Sequence, residues 1–422
     1  MTQNVKAANT LPIADFFDLM KIVRIIARLN VGGPARHVVW LTKELNTADV
    51  QSVLIAGTVP EGEEDMDWFA YENGVKPIFI EEMSRELSPK DIVSLWKVYR
   101  EIKKAKPDII HTHTAKAGTI GRIAVFFYRL FSRKKVKIIH TFHGHIFHSY
   151  YGNLKTKIFL FIEKTLARFA TDKIITISQR QFEEIHEEFG IGKREQFEII
   201  PLGIDLDKFA EAAAKRNILR EEIGAKDDEI LIGFVGRLTE IKNVPLLLKV
   251  AEMYQTKRDR SFPKLKFLIV GDGNLREELE AEAAKLKLTD TVKFLGNRND
   301  ADVFYAGLDI VALVSLNEGT PLSLIEGMAN GKAIISTSVG GVIDLLGEIK
   351  AEKEGYKICE RGIRTESNET ESFFQALMLL AGNKDLRAEM SAKGTDFVRK
   401  NYAKERLFKD IRQLYEKLQN IE

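Results

Sequence analysis

Residues 309–341 read DIVALVSLNEGTPLSLIEGMANGKAIISTSVGG and contain a complete strand–helix–strand unit. The apolar run DIVALVS predicts a buried strand, and AIISTS predicts a second one. Between them, Thr320 is suited to be the N-cap of a helix, Pro321 to be its first residue, and Gly331 to end it. Because two strands joined by a crossover helix run parallel, the stretch predicts a parallel α/β sheet.

The same alternation of strands and helices occupies most of the 422 residues, in two successive sets. The first set contains the strand-like runs KIVRIIARL, SVLIAG, DIIHTHT, VKIIHTFHG, DKIITIS and FEIIPLGID, and the second contains ILIGFVGRL, KFLIVGDG, VKFLGN, DIVALVS and AIISTS. We therefore predict the α/β class, with two doubly wound Rossmann-like domains. They would span residues 21–205 and 206–400, after a loosely ordered leader at 1–20, and a C-terminal helix at 401–422 could return to the first domain.

Composition excludes several classes of protein. Hydrophobic content of 45% and charged content of 29% are typical of a globular chain, and no apolar run approaches the roughly 20 residues of a membrane span. Residues 1–20 lack the pattern of a signal peptide, and the single cysteine, Cys359, excludes an internal disulfide framework. We expect a cytoplasmic protein that does not bind nucleic acid.

Charge is unevenly distributed, although the formal net charge is only +2. Residues 84–180 contain 20 Lys or Arg against 6 Asp or Glu. This excess indicates either a solvated surface compensated elsewhere in the fold, or a surface for an anionic partner such as lipid headgroups or a polyanionic substrate.

The opening stretch also carries candidate binding groups. Glu318 would lie in the loop after the strand and Glu326 inside the helix. The turn formed by Gly319, Thr320, Pro321 and Leu322 would aim unpaired backbone amides outward, as an anion site requires. Carboxylates accept hydrogen bonds from sugar hydroxyls, and a nucleotide sugar presents both hydroxyls and phosphate.

Further candidates follow other strands, where ligands of open α/β sheets bind. Gly32 and Gly33 precede a helix and either admit a ligand or form a simple turn. Gly236 is followed by Arg237 and Lys242, which suit a diphosphate unless they are solvated surface residues. Gly271 belongs to VGDGN, which lacks the third glycine of a dinucleotide fingerprint and is weak evidence for NAD.

Histidines are concentrated between residues 111 and 148, and those considered as ligands or site residues are His111, His113, His143, His145 and His148. They could be structural, could bind zinc if three or four converged, or could serve an active site, for which His143 is the candidate. The DMD at 65–67 and the DLD at 205–207 imitate a metal-binding motif, but we read neither as one, and we predict no metal site.

The motifs GGPARH, TFHGH, GFVGRLTEIKN, VGDGN and EGTPLSLIEGMANGKAIISTSVGG occur in the order found in the retaining GT-B glycosyltransferases often called family 4, and the chain resembles these enzymes from about residue 21 to its C-terminal helix. The resemblance implies a GT-B fold with an interdomain cleft. It also implies that Glu318 contacts the donor hexose, Glu326 the ribose, and Arg237 with Lys242 the diphosphate. Gly32, Gly33 and His143 match the glycine loop and active-site histidine. Asn243, where a glycine is usual, and EKEGYKICERG depart from the pattern.

The sequence thus predicts an enzyme that transfers a hexosyl group from a nucleotide-diphosphate sugar, UDP-linked by expectation, to a carbohydrate or lipid-linked acceptor, with retention and without an obligatory cofactor. Alternatives are a sugar-nucleotide epimerase, a phosphorylase, or a non-catalytic binding module. The basic residues near Phe126, Phe127 and Phe131, namely Arg129, Arg133, Lys134, Lys135 and Lys137, predict peripheral contact with an anionic membrane at its inner face.

Overall fold

The structure, a computed structural model, describes residues 19–60, 64–83, 88–132, 134–144, 153–259 and 262–420, with the side chains of 153–155 excepted. Most of the predicted leader, together with Arg133, His145 and His148, lies outside these residues. Within them, strands and helices alternate and form two sheets, each covered by helices on both faces. The predicted α/β class with two doubly wound domains is confirmed.

The first sheet is entirely parallel, with strand order β3-β2-β1-β4-β5-β6-β7. Its strands are β1 (Met20–Ile26), β2 (Val50–Gly57), β3 (Ile78–Ile80), β4 (Ile109–His113), β5 (Lys137–Thr141), β6 (Lys173–Thr176) and β7 (Phe197–Ile199). Its helices are α1 (Gly33–Glu44), α2 (Asp67–Glu72), α3 (Asp91–Ala105), α4 (Ala115–Ser132), α5 (Asn153–Phe169) and α6 (Gln179–Phe182). The order reverses between β1 and β4, so the loops after these strands open onto one crevice.

The second sheet has the order β10-β9-β8-β11-β12-β15-β14-β13. Its strands are β8 (Glu229–Val235), β9 (Lys264–Val270), β10 (Val292–Gly296), β11 (Ile310–Leu313), β12 (Ala333–Thr337), β13 (Ile349–Lys353), β14 (Tyr356–Cys359) and β15 (Gly362–Thr365). Its helices are α7 (Ala212–Glu222), α8 (Val244–Lys257), α9 (Arg276–Lys285), α10 (Ala301–Gly307), α11 (Leu322–Ala329), α12 (Val342–Leu346), α13 (Thr370–Gly382) and α14 (Lys384–Asn401). The quoted stretch forms β11, α11 and β12, which pair as predicted.

An antiparallel hairpin occupies the segment that departed from the family pattern. Strands β13 and β14 pair antiparallel, and β14 pairs antiparallel with β15. Gly355 in the turn has φ of 83°, a conformation that glycine adopts without strain. Strand β13 is exposed along its length, so it lacks the apolar alternation by which a strand is recognised in sequence.

The last helix, α15 (Lys404–Gln419), packs against the first domain. The C-terminal segment returns to the first domain beside the interdomain linker, where Ile204 forms a parallel bridge with Ala403. Beyond this crossing, Leu407, Ile411 and Leu414 are buried together with residues from β1, β4 and β5. The chain therefore connects the two domains at two adjacent points. Among the described residues, no helix combines the length and hydropathy needed to cross a bilayer.

Candidate active site in the interdomain cleft

A cleft of about 900 Å³ separates the two domains and is lined by both. Its walls meet at two places where glycines allow close approach. A Cβ on Gly33 would lie 2.8 Å from Leu322 Cδ1, and a Cβ on Gly319 would lie 3.3 Å from the Cα of Gly144. The start of α1 therefore faces the start of α11, and the residues after β5 face the loop that carries Glu318.

The start of α11 differs from its prediction. Pro321, and not Thr320, occupies the N-cap position, and the helix begins at Leu322. Thr320 makes no capping hydrogen bond, because its backbone position precedes the cap and its hydroxyl is buried without a partner among the described residues. Gly331, with φ of 67°, follows the C-cap and ends the helix as predicted.

The glycine pair after β12 supports the Glu318 loop. The backbone amide of Gly341 donates to the carbonyl oxygen of Gly319 at 2.7 Å, and a Cβ on Gly341 would lie 2.3 Å from that oxygen. Residue 341 must therefore be glycine if the loop is to keep this position. The hydrogen bond from Gly341 to Gly319 fixes the backbone of the loop that carries Glu318.

Glu318 and Lys242, far apart in sequence, form an ion pair where the loop after β11 meets the segment after β8. Lys242 Nζ lies 2.5 Å from Glu318 Oε1, and the Ser315 hydroxyl donates to the same oxygen at 2.6 Å. The two side chains are only 20% and 10% exposed. A partly buried ion pair with a further hydrogen bond holds both groups in a defined geometry, so the cation and the carboxylate are placed together before any ligand arrives.

Glu326 projects from α11 into the same cleft. Burial raises the pKa of the Glu326 carboxyl above its ordinary value, while the positive charge of Arg36 and a hydrogen bond with Tyr305 act in the opposite direction. Arg36 belongs to α1 of the first domain, so Glu326 is influenced by both walls. A largely buried carboxylate of this kind is suited to hold a pair of ligand hydroxyls.

Arg237 follows β8 and is exposed, in contrast to Lys242. Nearby, the glycines of this region have packing roles. A Cβ on Gly271 would lie 2.1 Å from the carbonyl oxygen of Gly236, so Gly271 lets the loops after β8 and β9 pack directly together. A Cβ on Gly236 would lie 3.6 Å from Lys242 Cε, which places Gly236 beside the cation.

Histidines from three segments converge at the first-domain wall. His37 of α1, His113 of β4 and His143 after β5 each have one ring nitrogen within 4.8 Å of the others. His113 Nδ1 and His143 Nε2 are 2.9 Å apart and share a hydrogen bond. Burial, as the main cause, lowers the pKa of His143 to about 3 and the pKa values of His37 and His113 well below 6.5. All three imidazoles are therefore neutral at physiological pH.

His111 has a supporting position behind this group. Its Nδ1 lies 2.7 Å from the Tyr415 hydroxyl and its Nε2 lies 2.7 Å from Thr141 Oγ1, while its ring is 4.1 Å from that of His113. Because Tyr415 belongs to α15, the C-terminal helix reaches the base of the histidine group.

Both DxD-like segments contribute a residue to the cleft, namely Asp65 and Asp205. Asp67 begins α2, and Asp205 pairs with Lys404 at 3.0 Å in the linker region.

Sequence reasoning missed several residues that line the cleft. Arg36 and His37 belong to the quoted GGPARH motif but were not singled out, and Asn297 and Arg298 follow β10 directly. The position of Asn297 and Arg298 just after a strand, at the edge where ligands of parallel sheets bind, was the available signal for these two residues. Trp68 of α2 lines the cleft from the first domain, and no sequence pattern indicated it.

Two parallel-sheet Rossmann-like domains that face a shared cleft define the GT-B architecture. The solved structure of HepE from Anabaena, in complex with UDP, matches 94% of this chain and 100% of its own with a TM-score of 0.76 at 18% identity. A glycosyltransferase from Rickettsia africae matches 96% of this chain and 100% of its own with a TM-score of 0.73 at 19% identity.

Family models agree with this architecture. The model of Glycosyltransferase Family 4 matches residues 31–208, and that of Glycosyl transferases group 1 matches residues 215–397. A UDP-Gal:alpha-D-GlcNAc-diphosphoundecaprenol alpha-1,3-galactosyltransferase of Escherichia coli is 32% identical over 320 residues, which are 75% of this chain and 77% of that enzyme. The chain belongs to the GT-B glycosyltransferases of family 4.

Proposed function

We propose that this enzyme transfers a hexosyl residue from a UDP-sugar to a hydroxyl of a lipid-linked acceptor, with retention of anomeric configuration, in the synthesis of a cell-surface polysaccharide. The main support for the proposal is the Lys242–Glu318 pair, in which a cation and a carboxylate lie side by side near the start of α11. A sugar diphosphate presents the matching groups, a phosphate and a ring hydroxyl, next to each other.

The donor would occupy the second-domain wall. In this proposal Glu326 accepts hydrogen bonds from the ribose hydroxyls, and the amides of Gly319 and Leu322 face the phosphates together with Lys242 and Arg237. The two cations stabilise the charge that grows on the leaving diphosphate as the glycosidic bond breaks. Because fixed protein charges do this, we expect turnover to survive EDTA.

Retention is proposed through attack on the face from which the diphosphate leaves. Glu318 is already bonded to Lys242 and to Ser315, so it is better suited to hold a donor hydroxyl than to attack the anomeric carbon. The acceptor hydroxyl would then form the new bond and pass its proton to the departing phosphate oxygen. The neutral His143 imidazole, on the opposite wall, would hydrogen-bond the transferred sugar.

Product analysis tests the proposal. The full chain is incubated with UDP-galactose or UDP-glucose, with and without a GlcNAc-diphospholipid acceptor, and UDP release and the anomeric proton of the product are followed. Acceptor-dependent UDP release with an α-linked product is expected. A new sugar nucleotide would indicate an epimerase, formation of sugar 1-phosphate that requires added inorganic phosphate a phosphorylase, and donor binding without turnover a binding module, and each result would overturn the proposal.

Membrane contact at the cytoplasmic leaflet is proposed from an apolar surface on the first domain, which we call the helical face. It lies on α3, α4 and α5, where α4 packs against both neighbours. Its exposed apolar side chains include Trp96 (57%), Leu130 (62%), Phe131 (70%), Phe161 (71%) and Phe169 (63%). Aromatic side chains exposed to this extent are suited to the headgroup region of a bilayer.

The basic residues that accompany the helical face overlap only in part with those predicted, and Arg133 lies outside the described residues. Arg129 pairs with Asp172, and Lys134 lies 2.9 Å from Asp108, so the excess of positive charge near α4 is partly compensated. Exposed basic side chains instead extend onto α5, where Lys157, Lys164 and Arg168 are found, and Lys135 is exposed after α4. Each such group near an anionic surface contributes about 1 kcal/mol.

Vesicle flotation tests this contact. A variant with Lys135, Lys157, Lys164 and Arg168 changed to Ser should lose salt-sensitive binding to anionic vesicles. The control carries the same charge change on the second domain, at the exposed residues Lys249, Lys353, Lys384 and Lys400. Equal loss in both variants, or equal recovery with neutral vesicles, would contradict the proposal.

A further inference from the structure

The three histidines at the first-domain wall have more hydrogen-bonding capacity than the described residues use. Among the described residues, both ring nitrogens of His37 are buried without a partner, whereas His113 and His143 use one nitrogen each in the hydrogen bond that they share. A buried polar group without a partner costs free energy, so the two His37 nitrogens are available to a ligand. His37 is 4% exposed and still lines the cleft, which places its nitrogens at the cleft wall.

Their spacing is close to that of a metal site. Zinc binds imidazole nitrogen at roughly 2.0–2.1 Å in tetrahedral geometry, which separates two ligand nitrogens by roughly 3.3 Å. His113 Nδ1 and His143 Nε2 are already 2.9 Å apart, and one nitrogen of each of the three rings lies within 4.8 Å of the others. Side-chain adjustments of about 1.5 Å at most would therefore bring three nitrogens around one ion.

The three rings can each supply one ligand atom, because a neutral imidazole has one ring nitrogen with a free lone pair. Binding through the two nitrogens that now share a hydrogen bond would require only that one ring exchange the nitrogen carrying its proton. His111 is not a fourth ligand, because both of its nitrogens are engaged by Tyr415 and Thr141.

We propose that His37, His113 and His143 form a site for a borderline transition-metal ion such as Zn²⁺, with three imidazole ligands and one open position toward the cleft. The site is inhibitory. Because His143 lies beside the loop of Gly319, an ion there occupies the wall against which the transferred sugar would lie. The binding site stands on geometry alone, and its inhibitory effect rests on the proposed transferase function.

Direct binding is the first test. The full chain is treated with EDTA, desalted, and titrated with Zn²⁺ against a chromogenic chelator and with Co²⁺ by visible absorption. One ion per chain is expected. His37→Ala and His143→Ala should each weaken Zn²⁺ binding by more than roughly 100-fold, since losing a ligand costs more than the 10–100-fold of a lost second-shell partner. His186→Gln removes a histidine outside the group and should retain binding, as should a variant with both His145 and His148 changed to Ala.

Inhibition is the second test. Zn²⁺ at one equivalent should abolish UDP release by the wild-type chain, EDTA should restore it, and the residual activity of His37→Ala should be insensitive to the same Zn²⁺. Absence of stoichiometric binding, or unchanged binding in His37→Ala, would overturn the site. Binding without inhibition in an active enzyme would overturn its placement, whereas an inactive chain that binds Zn²⁺ would contradict only the transferase proposal.

Discussion

Replacing Glu318 by Gln distinguishes the role of the Glu318 charge from that of the Lys242 charge with which it pairs. The change keeps the shape of the side chain and its contact with Ser315 but removes the charge that Lys242 faces at 2.5 Å. If the donor diphosphate binds at Lys242, the Glu318 carboxylate repels it while also holding the sugar. The variant should therefore affect nucleotide binding and turnover in opposite directions.

The magnitude follows from the geometry. Like unit charges 4 Å apart repel by about 4 kcal/mol at an effective dielectric of about 20, and the Lys242 and Ser315 contacts offset most of this. We expect UDP to bind the Glu318→Gln variant as tightly as the wild type or up to about tenfold more tightly. Turnover should fall by on the order of 10²-fold, the cost of a misplaced reacting group.

Calorimetry with UDP and with a UDP-sugar, together with kcat from UDP release, measures both effects. Lys242→Met provides the comparison, since it should weaken both ligands. Glu348→Gln makes the same charge change at a side chain that is 83% exposed and should change nothing. If Glu318→Gln weakens UDP as much as Lys242→Met does, Glu318 only supports the lysine, and full kcat would refute its contact with the sugar.

Other predictions concern single groups. Glu326→Ala should weaken UDP-sugar binding by about 10- to 100-fold, the value of a hydrogen bond to a charged group, and 2′-deoxy-UDP should show no comparable further loss by calorimetry. Arg237→Ala should lower kcat/KM by on the order of 10²-fold with only partial rescue by Lys, because a bidentate contact is lost; near-normal kinetics would place Arg237 on the solvent face. His140, whose pKa is lowered well below 6.5 mainly by burial, takes up a proton on unfolding, so stability is retained above pH 6.5 and lost as the pH falls. Each such histidine lowers the free energy of unfolding by about 1.4 kcal/mol between pH 7.5 and 5.5. His140→Gln should therefore reduce the dependence of this free energy on pH in denaturation experiments across that range, whereas His186→Gln should not. Glu163→Gln should destabilise the fold by about 3–5 kcal/mol in urea unfolding, because it leaves Arg122, paired at 2.7 Å with both side chains at most 1% exposed, without its counter-charge.

Sequence patterns predicted the architecture because buried parallel strands are continuous apolar runs between helices. β11, α11 and β12 were readable in this way, as were Gly331 and the position of Glu326 on the helix. Thr320 was assigned wrongly because Thr and Pro both suit the start of a helix, and tertiary contacts of the loop decided between them. The exposed strand β13 has no apolar pattern from which to predict it.

The candidate site was predictable only one residue at a time. Glu318 and Lys242 were each proposed from the strand that precedes them, but their pairing depends on how β8 and β11 lie side by side. His37 was missed because a lone histidine on an apolar helix face looks like a core residue. Its neighbours His113 and His143 come from different strands, so only the folded chain brings them together.

A crystal structure of the full chain with a bound UDP-sugar would show directly whether the donor binds at the start of α11. We expect ribose hydroxyls on the Glu326 carboxylate, the diphosphate at Lys242 and Arg237, and the sugar between Glu318 and His143. A nucleotide bound elsewhere, for example against Trp68 and Asp65 with Glu326 and Lys242 untouched, would contradict it.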